Sequence, residues 1–480
     1  MGAALRCKTM DKANNLTQGS VLKSLISLSG PIIIAQFLHT AYQLIDTFWV
    51  GRLGAGAIAA VSISFPVIFL LISFGGGLTM AGAILVAQYK GKGNQEAVNY
   101  IAGQTLLAVF AAALFLSFFG FFFSSHLIGL MGVEPAVFSD AVSYLKISFS
   151  GIIFMFLFFV FQALMRGVGN VKIPMFIVLG TVLLNLALDP LFIFGYGPFP
   201  ALGVSGAALA TITTQGLSAL AGLLILFLGK KDIYIRLKEL RFDFSLIKKM
   251  FSLGFPACVE QSARALGMIV ITFLVASFGT VIVAAFGIGS RMLSLAIIPS
   301  MGLSMATSTL VGQNMGAGKI ERAEKTVRIS ALVGFLFLTL MGVCIFLFAK
   351  PLASFFIPGE TEAIESSVLF IKIMALSFGF VSLHMVMNGV FRGAGLTLVS
   401  MTLSIISLWV LEFPLAYILS KHTGLAEIGL WVAFPVANVL GAAISTFWFL
   451  KGSWKKKRIT EEIKIVKEVS EEAILEEGLQ

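Results

Sequence analysis

The sequence has little charge and few cysteines. Charged residues make up 12% of its 480 residues, against roughly 25% in an ordinary soluble domain, and 58% are hydrophobic. Cys7, Cys258 and Cys344 are scattered without disulfide or metal-ligand spacing, which excludes a disulfide-stapled domain and a Cys-based metal centre. The start lacks the apolar core of a signal peptide, and no phosphate-binding lysine loop occurs. No catalytic constellation is present either, so we expect neither an enzyme nor direct use of ATP.

Long apolar stretches take the place of the missing charge. Each is near or above the roughly 20 residues that a helix needs to cross a bilayer. Twelve of them lie at 25–50, 55–88, 97–123, 138–164, 173–195, 203–229, 250–278, 281–311, 328–349, 363–390, 396–420 and 428–450. The sequence therefore predicts an all-α integral membrane protein with twelve transmembrane helices.

The net charge of +10 is unevenly distributed along the chain. Most Lys and Arg fall in the even-numbered loops and at both termini, as in the runs 230–249 and 455–458, and only Arg264 and Arg291 are placed within helices. An excess of positive charge in alternate loops marks the cytoplasmic side. We expect a multi-pass protein of the cell (inner, cytoplasmic) membrane with both termini in the cytoplasm. The bilayer, and not nucleic acid, explains the positive charge.

The chain repeats itself at an offset of about 225 residues. Pro31 matches Pro256 and Gln36 matches Gln261, and MRGVG at 165–169 recurs as FRGAG at 391–395. The offset spans an even number of helices, so the halves have the same orientation. We predict two pseudo-symmetric six-helix bundles around a central cleft. The expected division is a cytoplasmic N-terminus 1–20, an N-lobe 21–229, a cytoplasmic linker 230–249, a C-lobe 250–450 and a cytoplasmic tail 451–480.

Polar side chains interrupt the apolar helices of the N-terminal half. An ionisable group inside the bilayer costs roughly 2.5–3.5 kcal/mol or more, so it normally has a partner or a function. The stretch LLNLALDPLFIF places Asn185 and Asp189 on one helix face. The embedded residues of this half are His39, Tyr42 and Asp46, which form one stripe of the first helix, then Gln162, Asn185, Asp189 and Thr211.

The two carboxylates are not duplicated. Asp46 stands opposite Ile271 in the repeat, and Asp189 stands opposite Phe413. A structural polar pair would be expected to recur in both halves. Two carboxylates held together away from water can bind a proton. Together with the oxygens of Asn185 and Thr211 they can instead bind Na⁺, a hard cation that prefers oxygen ligands. Both interpretations predict a coupling-ion site and leave the ion open.

Simpler interpretations remain for these and other embedded groups. Asp46 can pair with Arg52 at the headgroups, and Asp189 can lie at an aqueous helix end. The i,i+4 spacing of Glu260 and Arg264 favours a structural salt bridge. Glu412, close to an expected helix end, can form a similar salt bridge. Further polar or helix-breaking positions are His384, expected to be a hydrogen-bonded interior histidine, and Pro31, a candidate hinge of the first helix.

Several of these segments together resemble a known family. They are DTFWVGRLG (46–54), VAQYKGKGN (86–94) with its repeat VGQNMGAGK (311–319), MRGVGN (165–170) and LLNLALDPLFIF. Their order and spacing, over about residues 20–450, resemble the multidrug and toxic compound extrusion (MATE) transporters of prokaryotes. The resemblance implies export of amphipathic or cationic small molecules in exchange for H⁺ or Na⁺, without another cofactor.

The resemblance also implies roles for residues. Asp46, Asn185, Asp189 and Thr211 match the family's N-lobe acid site, and Pro31 matches the point where the first helix bends. We place His39, Tyr42 and Gln162 at the substrate cleft. Some members use a second acid site in the C-lobe. Glu260, with Arg264 beside it, is the candidate here, but no Asp occurs near Val381, where its partner is expected.

The sequence thus predicts a monomeric secondary-active exporter that works by alternating access. The alternatives are a flippase for a lipid-linked or amphipathic lipid and, from another class, an ion channel or a purely structural bundle. A cleft rich in cations would favour a flippase, whereas an acid site without a counterpart in the repeat argues against a channel.

Overall fold

The structure is a computed structural model that describes residues 16–196, 200–229, 232–237, 240–457 and 459–461. The first fifteen residues of the expected N-terminus lie outside this range. So do parts of the expected linker, at 230–231 and 238–239, and of the expected tail, at 458 and from 462 onward.

The described chain is built from helices that follow the apolar stretches of the sequence. Most begin or end at a Gly-containing loop, where residues such as Gly93 adopt a positive φ that ends the helix. In chain order the helices are α1 (Val21–Gly51), α2 (Ala55–Lys92), α3 (Gln95–Leu130), α4 (Pro135–Gly167), α5 (Lys172–Phe194), α6 (Val204–Leu228), α7 (Phe244–Ala276), α8 (Thr280–Gly316), α9 (Ile320–Leu347), α10 (Ala349–Phe356), α11 (Thr361–Ala375), α12 (Phe378–Gly393), α13 (Thr397–Ile405), α14 (Phe413–Lys421) and α15 (Ala426–Leu450).

Eleven helical segments of the described chain are long and apolar enough to cross a membrane. A twelfth is the pair α11 and α12, which qualifies as one span bent by 50°. The predicted stretch 363–390 corresponds to this bent pair. The other predicted stretches each match a single span, and the described helices extend past most of their ends. The prediction of a multi-pass helical membrane protein is confirmed.

One predicted helix changes geometry in its middle. Between α13 and α14 the residues Ile406–Glu412 form a π-helical segment. The following Pro414 has no N–H, and its ring excludes the carbonyl four residues earlier from an α-helical arrangement. A π-helical segment accommodates this without ending the helix. Glu412 therefore lies inside a continuous span, Thr397–Lys421, and the expectation that it lies close to a helix end is wrong.

Two compact units divide the described chain. One comprises the residues up to Ile33 and those from Val259 to Lys457, and the other comprises Ile34–Cys258 and the residues from Ile459. The boundaries fall within α1 and α7, just after Pro31 and Pro256, rather than in loops. Each of these two helices therefore contributes residues to both units. We call the units the C-terminal unit and the N-terminal unit, after the half of the chain that dominates each.

Each unit has its own apolar core. In the N-terminal unit, buried side chains of α2, α3 and α4 pack around Phe156 and Phe161. In the C-terminal unit, Phe370 of α11 stacks on Trp431 of α15 with ring centroids 4.1 Å apart. These cores fix the positions of the helices that carry the polar residues.

Candidate functional site

The polar residues of α5 are fully buried in the N-terminal unit. Asn185 and Asp189 both have 0% relative exposure, and Asn185 Nδ2 donates to Asp189 Oδ1 at 2.9 Å. Their i,i+4 spacing on a helix produces this contact, as the sequence predicts. The helix continues to Phe194, so Asp189 does not lie at an aqueous helix end.

Asp46 of α1 meets this pair. Its carboxyl group lies within hydrogen-bonding reach of Asp189 and Asn185. Thr211 of α6 donates from Oγ1 to Asp46 Oδ2 at 3.3 Å. Arg52 instead lies over the ring of Phe48, 5.0 Å from its centroid, and within the described residues it forms no ion pair with Asp46. The structure thus brings together the four residues that the sequence assigned to one coupling site.

A close contact between α5 and α6 positions Thr211. A Cβ atom on Gly206 would lie 2.3 Å from the carbonyl oxygen of Phe192, so no other residue allows the two backbones to approach this closely. Backbone hydrogen bonds also hold the connection between the helices in place. The N–H groups of Leu202 and Gly203 donate to the carbonyl oxygens of Phe192 and Ile193 at 3.0 and 3.1 Å. The glycine thereby sets the depth at which α6 presents its threonines to Asp46.

Three buried oxygens of the site have no hydrogen-bond donor among the described residues. They are Asp46 Oδ1, Asp189 Oδ2 and Asn185 Oδ1. A buried polar atom without a partner carries a large desolvation cost. With Thr211 Oγ1 and the bonded carboxylate oxygens, they form an oxygen-rich group on three helices. A proton on one carboxyl group, or an oxygen-preferring cation such as Na⁺, would satisfy these atoms.

The three residues predicted at the cleft lie in the N-terminal unit, and of these Tyr42 interacts with the acid site. Tyr42 is buried, and its hydroxyl forms a 2.9 Å hydrogen bond with Thr214 Oγ1, which in turn donates to the carbonyl of Thr211. His39 lies within hydrogen-bonding reach of Gln162, whose Nε2 is buried without an acceptor in the described part of the chain. His39 and Tyr42 thus continue the polar stripe of α1 away from Asp46, and Gln162 of α4 lies beside His39.

Two residues near the acids were missed by the sequence analysis. Thr214 supports Tyr42 and lies one turn after Thr211, so the TITT motif and its spacing could have indicated it. Tyr144 of α4 interacts electrostatically with both Asp46 and Asp189. Nothing in its local sequence distinguishes it from an aromatic residue of the core, because only helix packing brings it to the site.

The C-terminal unit contains a different polar centre. Glu260 is 2% exposed and pairs with Arg264 at 3.3 Å, so the salt bridge predicted from spacing is present. Glu260 also pairs with Arg392 of α12. Arg392 lies in the last turn of α12, and 19% of its side chain is exposed. The sequence did not indicate it as a partner of Glu260.

Hydroxyl and amide groups extend this centre. Glu260 accepts hydrogen bonds from Ser404 at 2.8 Å and Ser400 at 3.3 Å. Ser404 also accepts from Asn388, which contacts His384 Nε2 at 3.1 Å, so the expected hydrogen-bonded interior histidine is confirmed. The side chain of Glu412 forms no hydrogen bond or ion pair with any described residue, and the salt bridge considered for it is absent.

Comparison with known proteins identifies relatives along nearly the whole chain. The MatE family model matches residues 31–191 and 256–418, one copy in each half of the predicted repeat. The probable multidrug resistance protein YoeA of Bacillus subtilis is 30% identical over 92% of this chain and 96% of its own length. The probable multidrug resistance protein NorM of Thermotoga maritima is also 30% identical, over 92% and 94%.

A solved structure shares the fold. The outward-facing conformation of a MATE-family multidrug resistance transporter has a TM-score of 0.87 and 24% sequence identity, and the match covers 94% of this chain and 100% of that one. MATE transporters have twelve helices in two bundles, which confirms the predicted fold class. The duplicated family match and the relatives aligned over nearly their whole length lead to one conclusion: this chain belongs to the MATE family of multidrug transporters.

Proposed function

We propose that the protein exports amphipathic or cationic small molecules across the cell membrane in exchange for H⁺ or Na⁺. The multidrug names of its relatives support a small-molecule substrate. The orientation with both termini in the cytoplasm, which we also propose, rests on the distribution of Lys and Arg. We take the working unit to be a monomer, because each chain carries both halves of the repeat.

The contact between Asp46 and Asp189 carries this proposal. Two carboxylates within hydrogen-bonding reach repel each other if both are ionised, and burial increases that repulsion. Binding of H⁺ or Na⁺ removes the repulsion and gives the unpaired oxygens a partner. An ion gradient can therefore change the charge of this site during each transport cycle.

The proposed cycle couples that change to substrate release. In an outward-open state Asp46 and Asp189 take up the ion, and the site loses the negative charge that attracts a cationic substrate. Pro31 lacks the N–H that would complete the α-helical bonding of α1, so the helix can bend there when its polar stripe changes partners. The substrate leaves, the two lobes exchange access, and the ion is released to the cytoplasm. This alternating access is driven by the ion gradient alone.

Reconstitution in liposomes tests the proposal. We would follow efflux of a fluorescent organic cation under a pH gradient and, separately, under a Na⁺ gradient. Asp189→Asn removes one carboxylate of the site. Asp140→Asn makes the same chemical change at an exposed position of α4 and is the matched control.

Efflux driven by one gradient, lost in Asp189→Asn and kept in Asp140→Asn, is the expected result and identifies the ion. The same outcome is expected for Asp46→Asn. Efflux that persists at the wild-type rate in both site variants would refute the assignment of the coupling site. Efflux that needs neither gradient would refute antiport.

A further inference from the structure

The side chain of Arg264 ends in a guanidinium group that lies in an apolar helix, and most of its N–H donors have no acceptor among the described residues. It lies in the membrane span of α7, and 45% of its side chain is exposed. Its one hydrogen bond within the described residues joins Nη2 to Glu260 Oε1 at 3.3 Å. A guanidinium has five N–H donors, so most of its hydrogen-bonding capacity is directed elsewhere.

Glu260 is already neutralised without Arg264. Arg392 donates to the same carboxylate and is the more enclosed partner, with 19% of its side chain exposed against 45% for Arg264. Ser400 and Ser404 complete the coordination of the two carboxylate oxygens. The inner pair of Glu260 and Arg392 cancels in charge, so the carboxylate of Glu260 does not need Arg264 for neutralisation.

The surroundings of Arg264 require a polar partner. Lipid chains offer no acceptor, and a bare charged group within the bilayer is costly, so exposed donors in a span face water or a ligand. Arg264 also stands at the repeat position of His39, which begins the polar stripe of α1 that leads to Asp46. The equivalent position of the repeat is therefore a histidine in the N-terminal half and an arginine in the C-terminal half.

We propose that Arg264 binds the carboxylate of an amphipathic zwitterionic substrate. The inference rests on the proposed exporter function and narrows its substrate class. A guanidinium binds a carboxylate through two parallel N–H···O bonds, which an ester of the same molecule cannot reproduce with equal strength. Glu412 is the other carboxyl group within electrostatic range of Arg264, and it forms no bond to it in the described chain. When Glu412 is ionised, its charge opposes an incoming carboxylate.

A pair of dyes that differ only at the carboxyl group tests the inference. Rhodamine B carries a carboxylate, and its ethyl ester does not. Binding of each to the purified full-length protein in detergent would be measured by fluorescence anisotropy without any ion gradient. The variants are Arg264→Gln, Arg264→Lys and Glu412→Gln. Arg291→Gln is the matched control, because Arg291 belongs to the same unit and stacks on Phe356 instead of meeting Glu260.

Arg264→Gln is expected to weaken rhodamine B binding by about ten- to a hundredfold, the value of a hydrogen-bonded charge pair, and to leave ester binding unchanged. Arg264→Lys should recover part of the loss. Arg291→Gln should change neither dye, and Glu412→Gln should bind rhodamine B at least as tightly as the wild type. Preserved ester binding shows that each variant is folded.

Four results would overturn the inference. The first is equal loss of both dyes in Arg264→Gln. The second is wild-type protein that does not bind rhodamine B, and the third is an Arg264→Gln variant that binds it unchanged. The fourth is displacement of rhodamine B by phosphatidylglycerol added to the micelles, which would assign Arg264 to a lipid headgroup. Failure of gradient-driven efflux of the ester would refute the proposed exporter function without changing the binding result. Failure of the exporter function can therefore be distinguished from failure of the proposed role of Arg264.

Discussion

Buried carboxyl groups have oppositely charged surroundings in the two units. Asp189 is fully buried beside another carboxyl group, and Glu260 is almost fully buried between two guanidinium groups. Two guanidinium groups pair with Glu260, whereas within the described chain no cation forms an ion pair with Asp46 or Asp189. For this reason we propose Asp46 and Asp189, and not Glu260, as the coupling site.

Replacement of Thr211 tests the geometry of the coupling site at the scale of one hydrogen bond. Thr211→Val keeps the shape of the side chain and removes the donor to Asp46 Oδ2. A net hydrogen bond contributes about 0.5–1.5 kcal/mol, so we expect the ion concentration for half-maximal export to shift by about three- to tenfold. Ion-dependent efflux rates from liposomes measure this.

Thr213 provides the matched control for that measurement. It is partly exposed, and its hydroxyl donates to the carbonyl of Leu209 in its own helix. Thr213→Val should leave the ion dependence unchanged. Equal shifts for both variants would mean that Thr211 acts only through α6 as a whole.

Removal of Arg392 should destabilise the C-terminal unit. Arg392→Gln leaves Glu260 with the more exposed Arg264 as its remaining guanidinium partner. Breaking a buried ion pair from one side costs roughly 3–5 kcal/mol, so we expect a clear fall in the thermal unfolding temperature of the purified protein.

An exposed ion pair provides the control for Arg392→Gln. Arg328 pairs with Glu324 at 2.7 Å, but 74% of its side chain is exposed. Arg328→Gln should change stability by less than about 1 kcal/mol. A loss in Arg392→Gln no larger than this would show that Arg264 alone neutralises Glu260.

The chemical identity of most site residues was predictable, and their partners were predictable only in part. Asn185 with Asp189, and Glu260 with Arg264, lie one turn apart on the same helix, so helical spacing alone predicts their contacts. The contact of Arg392 with Glu260 was not predictable, because the two residues lie 132 positions apart in the chain. It depends on the packing of helices, for which helical spacing gives no guide.

At the scale of helices, the contact between α5 and α6 offers a direct test. Gly206→Val adds a side chain whose first atom would lie 2.3 Å from the Phe192 carbonyl oxygen. The helices must separate, and overpacking of this kind typically costs about 1–3 kcal/mol. We expect a lower unfolding temperature and weaker export, because Thr211 moves away from Asp46.

Gly180 of α5 is the control for this change. A Cβ there meets no atom within 4 Å, so Gly180→Ala should be neutral or slightly stabilising, since alanine favours a helix over glycine by about 1 kcal/mol. A Gly206→Val variant as stable and active as Gly180→Ala would contradict the role of this contact.

At the scale of the whole molecule, the distribution of charge predicts the direction in which the chain crosses the membrane. We would replace the native cysteines and introduce Thr423→Cys, between α14 and α15, or Glu96→Cys, at the start of α3. Both positions are exposed. A membrane-impermeant maleimide should label Thr423→Cys in intact cells and Glu96→Cys only after the membrane is opened.

The opposite labelling pattern would invert the proposed topology. It would also place the uptake of the coupling ion on the other side of the membrane. Labelling of both positions in intact cells would mean that the reagent enters, which a cytosolic marker protein with an exposed cysteine detects.

The sequence by itself determined the membrane character, the spans, the duplication and the acidic residues, because each depends on composition, on short-range periodicity or on a constant repeat offset. Only the tertiary structure decided which oxygens of Asp46, Asn185 and Asp189 lack donors, that Tyr144 interacts with the two acids, and that Arg392 pairs with Glu260 beside Arg264. These features depend on distances between helices that are far apart in the chain. Such distances follow from side-chain packing and close backbone contacts, as at Gly206, for which no local pattern in the sequence is a guide.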